Sequence, residues 1–395
     1  MWLRVIFYTQ AKNLNQLTIA LTPLQLAKVY RLTRDKILFL ASQECYILFL
    51  FCAHKKNSVC SKIQFVFKPY LFSHLLSTGT IQMAHIAAIG EVMVELAPFP
   101  TADSNGREIM ALSFAGDTYN TSVYMARLGL KTDYVTQLGE DPYSTQIMQR
   151  MANENIGTGM IKQLPGRSPG LYIIRNTPDG EREFFYWRKE APARELFASQ
   201  EAADQLCQKL VHCNCVYLSG ITLAIIGEKS REFLYNSLHK LRQQDVIVAF
   251  DSNYRPRLWR DKSEAQQAML AIMEYTDIAL LTLDDEQLLW GDDSVEGCKQ
   301  RYAAYALSEL VLKRGADDAI IITPNEELRV PVPPVQGVID TTGAGDTFNA
   351  GYLAGRLMGK SLTDSAKQGI RCAGIIIRHR GAIIDKAIFD KELGA

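Results

Sequence analysis

Between Asp340 and Gly351 the chain reads DTTGAGDTFNAG. Three small residues, Gly343, Ala344 and Gly345, precede one carboxylate, Asp346, and a helix-forming run follows. Such a loop leaves backbone N–H groups uncovered where a helix begins. Those donors, with the positive end of the helix dipole, attract an anion. A carboxylate beside an anion site suits phosphoryl transfer: the loop holds the charge on the phosphate while Asp346 accepts a proton from an attacking hydroxyl. A bare GxGD is equally an ordinary tight turn before a helix, so the stretch alone leaves both readings open.

The elements around it must be able to position a loop of this kind. From His85 onward, short apolar strands alternate with amphipathic helices, the pattern of a parallel sheet covered on both faces. Strands are expected at His85–Glu91, Asp133–Leu138, Cys215–Ser219, Val246–Asp251, Ile278–Leu283, Leu310–Lys313 and Ala319–Thr323. Helices are expected at Asp117–Leu128, from Asp141-Pro142 to about Asn155, and at Gln200–Val211, Ser230–Gln243, Lys262–Tyr275, Val295–Leu307, Ala344–Leu357 and Ser361–Arg378. Asp141 before Pro142 is an N-cap followed by proline at the first helical position, and Gly129 stands where a helix C-cap glycine belongs. Val92–Ala97, Arg107–Phe114, Gly170–Arg175 and Glu183–Arg188 fall outside that rhythm and are expected to form a small separate sheet. The last two flank the turn signal NTPDG and read as a hairpin.

Lys plus Arg and Asp plus Glu both number 43, so overall charge points to no nucleic-acid or membrane partner. The balance hides a split: residues 1–82 carry ten basic and two acidic side chains, a net of +8, which leaves −8 for residues 83–395. The apolar run Ile37–Ala53 is 17 residues long and contains Gln43 and Glu44, a poor membrane span. It also lies too far along for a secretory leader. Residues 1–82 are expected to add nothing to the fold, as an upstream start codon would give, with Met83 opening the domain-like sequence. A targeting or partner-binding extension is the alternative. The eight cysteines form no CxxC pair. Reduced thiols in a cytoplasmic protein are the economical reading.

The P-loop pattern GxxxxGK[ST] is absent, and Gly157-Thr158-Gly159 lacks the third glycine of a dinucleotide fingerprint. DTTGAGDTFNAG instead matches the C-terminal signature of the PfkB (ribokinase-like) sugar-kinase family. Ala115-Gly116-Asp117-Thr118-Tyr119-Asn120, followed by Ser122, Gly129 and Gly139, resembles its N-terminal signature, with Thr118 departing from the usual Gly, Ala or Pro. Met83–Ile384 is similar throughout to the branch of that family acting on 2-keto-3-deoxygluconate, in GLYIIRNTPDGEREFFYWR, YLSGITLAI, FDSNYRPRLW, LTLDDEQLLWG, VLKRGA and RGAII.

The resemblance implies an α/β, ribokinase-like fold: a central, mainly parallel sheet with helices on both faces, plus a small β-sheet lid from about residues 92–114 and 170–188, all within 83–395. It implies ATP and Mg2+, a small sugar acid as substrate, and a homo-oligomer formed through the lid. Asp346 becomes the base, and the backbone of Gly343, Ala344 and Gly345 the anion hole. Gly116, Asp117, Thr118, Tyr119 and Asn120 become substrate residues, with Tyr172, Tyr186, Trp187 and Arg188 on the lid. Arg255 becomes the carboxylate partner, since a guanidinium fork fits a carboxylate that a neutral sugar lacks; Arg257 is the fallback. Asn253, Arg255 and the turn Lys313-Arg314-Gly315-Ala316-Asp317 are assigned to the nucleotide. The family's Asn-x-x-Glu motif is replaced near here by Thr282-Leu283-Asp284-Asp285-Glu286, so no metal ligand is assigned.

Several of these residues have plainer readings. Asp117 alone would cap a helix, Tyr172 and Tyr186 would be exposed strand residues, and Arg255 and Lys313 surface charges. The rival functions are a kinase for a neutral sugar such as fructose or ribose, and a catalytically silent sugar-binding protein on the same fold.

Overall fold

The computed structural model describes residues 28–31, 37–42, 45–50, 83–102, 106–176, 182–292 and 294–394. The chain divides into two compact units, Met1–His74 and Leu75–Ala395. In the first, β1 (Lys28–Arg31), β2 (Ile37–Ser42) and β3 (Cys45–Leu50) form an antiparallel sheet in that order. The apolar run beginning at Ile37 is thus a strand pair. What was expected of residues 1–82 falls otherwise on residues outside those described.

The second unit begins with β4 (His85–Ile89), β5 (Met93–Ala102), β6 (Glu108–Ala115), α1 (Asp117–Arg127), β7 (Lys131–Gly139), α2 (Pro142–Asn153) and β8 (Ile156–Leu164). The hairpin strands β9 (Leu171–Asn176) and β10 (Arg182–Trp187) follow, then α3 (Gln200–Leu210), β11 (Cys215–Ser219), α4 (Gly220–Arg242), β12 (Ile247–Asp251) and α5 (Lys262–Met273). The remainder is β13 (Ile278–Thr282), α6 (Leu283–Trp290), α7 (Val295–Tyr302), β14 (Glu309–Lys313), β15 (Ala319–Ile322), β16 (Glu327–Val330), α8 (Ala344–Leu357), α9 (Leu362–Ile376) and α10 (Lys386–Leu393).

Nine strands make the main sheet, in the order β16-β15-β14-β13-β12-β11-β4-β7-β8. The seven from β14 to β8 run parallel; β15 and β16 continue one edge antiparallel. Every residue of β11, β12 and β14 is buried, so both faces are covered, which is why these strands read as unbroken apolar runs. On one face Val216, Leu218, Val248, Phe250 and Leu281 pack into a core with Leu234, Leu238 and Leu241 of α4 and Met269 and Ile272 of α5. On the other, Tyr217 meets α1 through Thr121 and α8 through Asn349. Among the described residues no helix is long and apolar enough to cross a membrane.

The strands expected to form the lid make their own sheet, β10-β9-β5-β6. Alternation and turn chemistry made most elements readable. As expected, Asp141 caps α2, accepting from the Tyr143 and Ser144 N–H groups with Pro142 behind it. Four elements lacked such signals: β8, an edge strand interrupted by Gly157 and Gly159; the short α6 and β16; and α10. The helix expected to begin at Ser230 begins at Gly220, capped by Ser219, and kinks at Gly227, where φ is 77°.

Candidate active site

The parallel strands end together, and their carboxyl ends carry the polar residues. Ser219 lies beside Asp251, and Thr282 beside Lys313. Open parallel sheets bind ligands at this edge. The Asp340–Asp346 loop comes down upon it from the far end of the chain. Gly343 takes a left-handed φ of 76° as the residue before α8, a conformation that suits glycine. A side chain there would also meet the Cβ of Ala382 at 2.9 Å. Asp346 follows in the first turn of α8, among N–H groups that a helix start leaves without intrahelical acceptors.

The two sequence signatures meet through their side chains. Asn120 donates from Nδ2 to Asp346 Oδ2 at 2.8 Å across 226 residues of chain. Asn253 donates to Asp117 Oδ2 at 3.0 Å, and Ser219 also hydrogen-bonds Asp117. Asp117, Asp346 and Asp251 influence one another at close quarters. Burial, with the charges of Asp117 and Asp251, pushes Asp346 up to about 7 against the pull of Asn120 and Lys313. Burial likewise raises Asp117, helped by Asp251 and opposed by Ser219. Gly116 has no room for a side chain because the Glu91 carbonyl would lie 2.1 Å from its Cβ.

The side chains of Thr118 and Tyr119 do not join this group and turn into the core instead. Thr118 is fully buried with its hydroxyl 2.9 Å from that of Tyr134. Tyr119 is buried edge-on against the same ring. The pitch of α1 turns both into the core and leaves Asp117 and Asn120 on the face toward Asp346.

The pleat sorts the lid residues in the same way. Tyr186 pairs across β9 with Tyr172, whose neighbour on β5 is Glu95. Tyr172 donates its hydroxyl to Glu95, which also accepts from Ser113. Arg188 lies over the Tyr186 ring, 5.8 Å from its centre, and forms a buried ion pair with Glu91 at the end of β4. Arg188, Arg255 and Arg257 all pull down a Tyr186 hydroxyl pKa that partial burial raises. Trp187, between Tyr186 and Arg188, points to the opposite face and is 58% exposed. The pleat therefore sets its side chain apart from those of Tyr186 and Arg188.

Of the residues expected at the nucleotide, Lys313 is buried, its ammonium 2.9 Å from Asp251 and 3.0 Å from Asn349 of α8. It sits beneath the loop, 3.8 Å from where a Cβ on Gly345 would be. The following turn closes on itself: Gly315 has a φ of 61° and Arg314 reaches Asp317 and the Asp318 carbonyl. Arg255 is largely exposed, 3.7 Å from Asp285. The carboxylate register after β13, ambiguous in the sequence, is settled here. Asp285 accepts from Ser252 at 2.9 Å and faces the site, whereas Glu286 is buried on the scaffold side against Arg301 and Tyr302.

Glu91, Asp251, Ser252 and Asn349 were missed by sequence reasoning. Each partners a residue remote in the chain. Only the FDSN context gave a readable hint, for Asp251 and Ser252.

Residues 83–388 match the profile of the pfkB family carbohydrate kinases. Over 309 residues the chain is 45% identical to 2-dehydro-3-deoxygluconokinase of Escherichia coli strain K12, covering 76% of this chain and 97% of that protein. The fold resembles the crystal structure of 2-dehydro-3-deoxygluconokinase from Thermotoga maritima, with a TM-score of 0.68 and 21% identity over 80% of this chain and 99% of that one. It also resembles a ribokinase II from E. coli in complex with ATP and Mg2+, with a TM-score of 0.67 and 21% identity over 79% of this chain and 99% of that one. At such identities the structural likeness speaks for the fold, which is ribokinase-like.

Proposed function

The chain belongs to the pfkB family of carbohydrate kinases, and on that premise we propose that it phosphorylates 2-keto-3-deoxy-D-gluconate with ATP. The observation that carries this reading is the Asn120–Asp346 bond, which joins the sugar-side helix to the phosphate-side helix below three guanidinium groups around Tyr186. The terminal hydroxyl of the sugar acid attacks the γ-phosphorus of ATP. Its proton passes to Asp346, the new O–P bond forms as the bond to ADP breaks, and 2-keto-3-deoxy-6-phosphogluconate leaves.

An Asp346 carboxyl raised to about 7 is well matched to that proton transfer near neutral pH. The N–H groups of Gly343–Asp346 stabilise the charge on the phosphoryl group. Asp117 and Asn120 hold sugar hydroxyls. Tyr172, whose proton goes to Glu95, is left to accept from one. Arg188 and Arg255, with Arg257 beside them, take the substrate carboxylate. Asn253, Arg255 and the Lys313–Asp317 turn serve the nucleotide, with Lys313 acting through Asp251 and Asn349.

The residues present fit a magnesium ion held mainly by phosphate oxygens and water. Among the described residues no cluster of three His, Cys, Asp or Glu could hold an ion alone. Asp285 and the buried, unpartnered Asn253 Oδ1 are the protein oxygens that would hold it. When bound, it would neutralise phosphate charge.

The catalytic unit in this reading is residues 83–395, and free thiols at Cys207, Cys213, Cys215, Cys298 and Cys372 support a cytoplasmic setting. A homo-oligomer through the lid is supported by the apolar row Phe185, Ile173, Leu96 and Leu112 on the lid face opposite Tyr186. Light scattering of a Leu112→Glu variant should show a smaller particle if that row is the contact.

The test of the activity is ADP release across sugar acids and neutral sugars. Turnover is expected on 2-keto-3-deoxygluconate and much weaker turnover on fructose or ribose. Preference for a neutral sugar would overturn the substrate assignment, and no ADP release on any sugar would overturn the enzyme.

A further inference from the structure

Strand β10 is tied down at both ends by arginines. Just past its C-terminal end Arg188 is buried against Glu91. At the other end Arg182 reaches the loop that precedes α8. Its Nη1 lies 2.8 Å from Asp340 Oδ2 and donates to Thr342 Oγ1 at 2.9 Å. Thr342 in turn donates to Asp340 Oδ1 from its hydroxyl at 2.6 Å and from its N–H at 3.0 Å. Asp340 Oδ2 also accepts from the Gly381 N–H at 2.7 Å. A lid residue, the first residues of DTTGAGD and the Arg380–Ile384 segment therefore share one small network, and Gly343 is the next residue after it.

We propose that Arg182 is a positioning residue for phosphoryl transfer: by holding Asp340 and Thr342 it sets the Gly343–Asp346 loop in place when the lid is seated. The Asp340 side chain is 5% exposed, so the carboxylate needs full pairing, and its two oxygens take four bonds from three segments of chain. Removing the guanidinium takes away the one of those bonds that comes from the lid. The loop then keeps its local Asp340–Thr342 turn and loses its link to the sheet that covers the sugar. A displacement of about 1 Å in a loop that must meet a transferring phosphoryl group costs up to roughly a hundredfold in rate. Arg182 touches neither Asp346 nor the sugar-side residues Asp117 and Asn120 in this network, so its effect should fall on turnover. The inference rests on reading Gly343–Asp346 as the phosphoryl-transfer loop.

The test compares wild type with Arg182→Ala and Arg182→Lys, measuring kcat, KM for each substrate, thermal midpoint, and amide hydrogen exchange of residues 340–346. For Arg182→Ala the expected result is a kcat lower by about tenfold to a hundredfold, with both KM values near wild type. Exchange in residues 340–346 should be faster and the thermal midpoint nearly unchanged. Arg182→Lys should recover part of the rate, since it restores the charge and one donor. An unchanged kcat would overturn the proposal. So would a loss confined to KM for the sugar acid, which would make Arg182 a substrate contact, or unchanged exchange in residues 340–346. The exchange measurement needs no substrate. If the wild-type protein turned over no sugar, the functional reading would fall while exchange still decided whether Arg182 holds the loop.

Discussion

Helices α1 and α8 both begin at the site with a glycine and a first-turn carboxylate, and they support that carboxylate differently. In α1 the acid stands directly after Gly116 and is gripped by Asn253 and Ser219. In α8 it stands three residues after Gly343, and the bond from Asn120 is its side-chain partner. A carboxylate held by two donors is fixed in place and suited to orienting a bound hydroxyl. One held by a single amide keeps an oxygen to receive a proton, and its pKa near 7 makes that transfer reversible at neutral pH. In the proposed function, the same kind of helix start thus serves as a binding group on one side and a base on the other.

Substitutions can break this division. Asp346→Asn should have the largest effect, lowering kcat by roughly 10²–10⁴ with little loss of sugar affinity in calorimetry. Near wild-type turnover would remove Asp346 as the base. Asp117→Asn should act the other way round, raising KM for the sugar acid by about tenfold to a hundredfold, the worth of hydrogen bonds to a charged group, with a smaller change in kcat. If both variants lose kcat alike, the two helices do not divide the work. Arg255→Ala should cost about tenfold or more on the sugar acid and far less on a neutral sugar. Equal losses would undo its pairing with the substrate carboxylate.

Smaller effects should appear with pH. The base works ionised, so kcat/KM should climb through about pH 7. Asn120→Ala removes a bond that favours the ionised form and should move that limb upward. Stability carries the opposite sign. A carboxyl raised from 3.8 to about 7 contributes stability below its unfolded pKa that is lost as pH rises through the folded one. Asp346→Asn should therefore gain thermal midpoint over wild type at pH 8 relative to pH 5.

Much of this arrangement was readable because local chemistry dictates it. The bounds of α8 follow from glycines that must start it, and the lid strands stood out because they broke the strand–helix rhythm. Asp117 with Asn120, and Asp346, each lie in a short contiguous motif, and only the family resemblance joined the two motifs, which meet at the Asn120–Asp346 bond. The partners were less legible. Arg188 finds Glu91 at a separation of 97 residues and Lys313 finds Asp251 at 62. Burying a charge requires a partner, but no local pattern says which one. Trp187 shows a related limit, because a motif names adjacent residues together while the pleat sends them to opposite faces. Thr118 and Tyr119 show the helical equivalent, their side chains turning into the core while Asp117 and Asn120 face Asp346.

The alternation along β10 has a consequence for how this lid can change over evolutionary time. Arg182, Tyr186 and Arg188 face inward only because their positions differ by even numbers, while Phe185 and Trp187 face outward. Gaining or losing one residue between the two arginines would exchange the faces from that point on, bringing tryptophan to the inner face and putting an arginine into the apolar row. The six-residue strand is thus closed to single insertions and deletions. Its inner face is open to exchange of side chains at fixed length, and length variation is left to residues outside the strand.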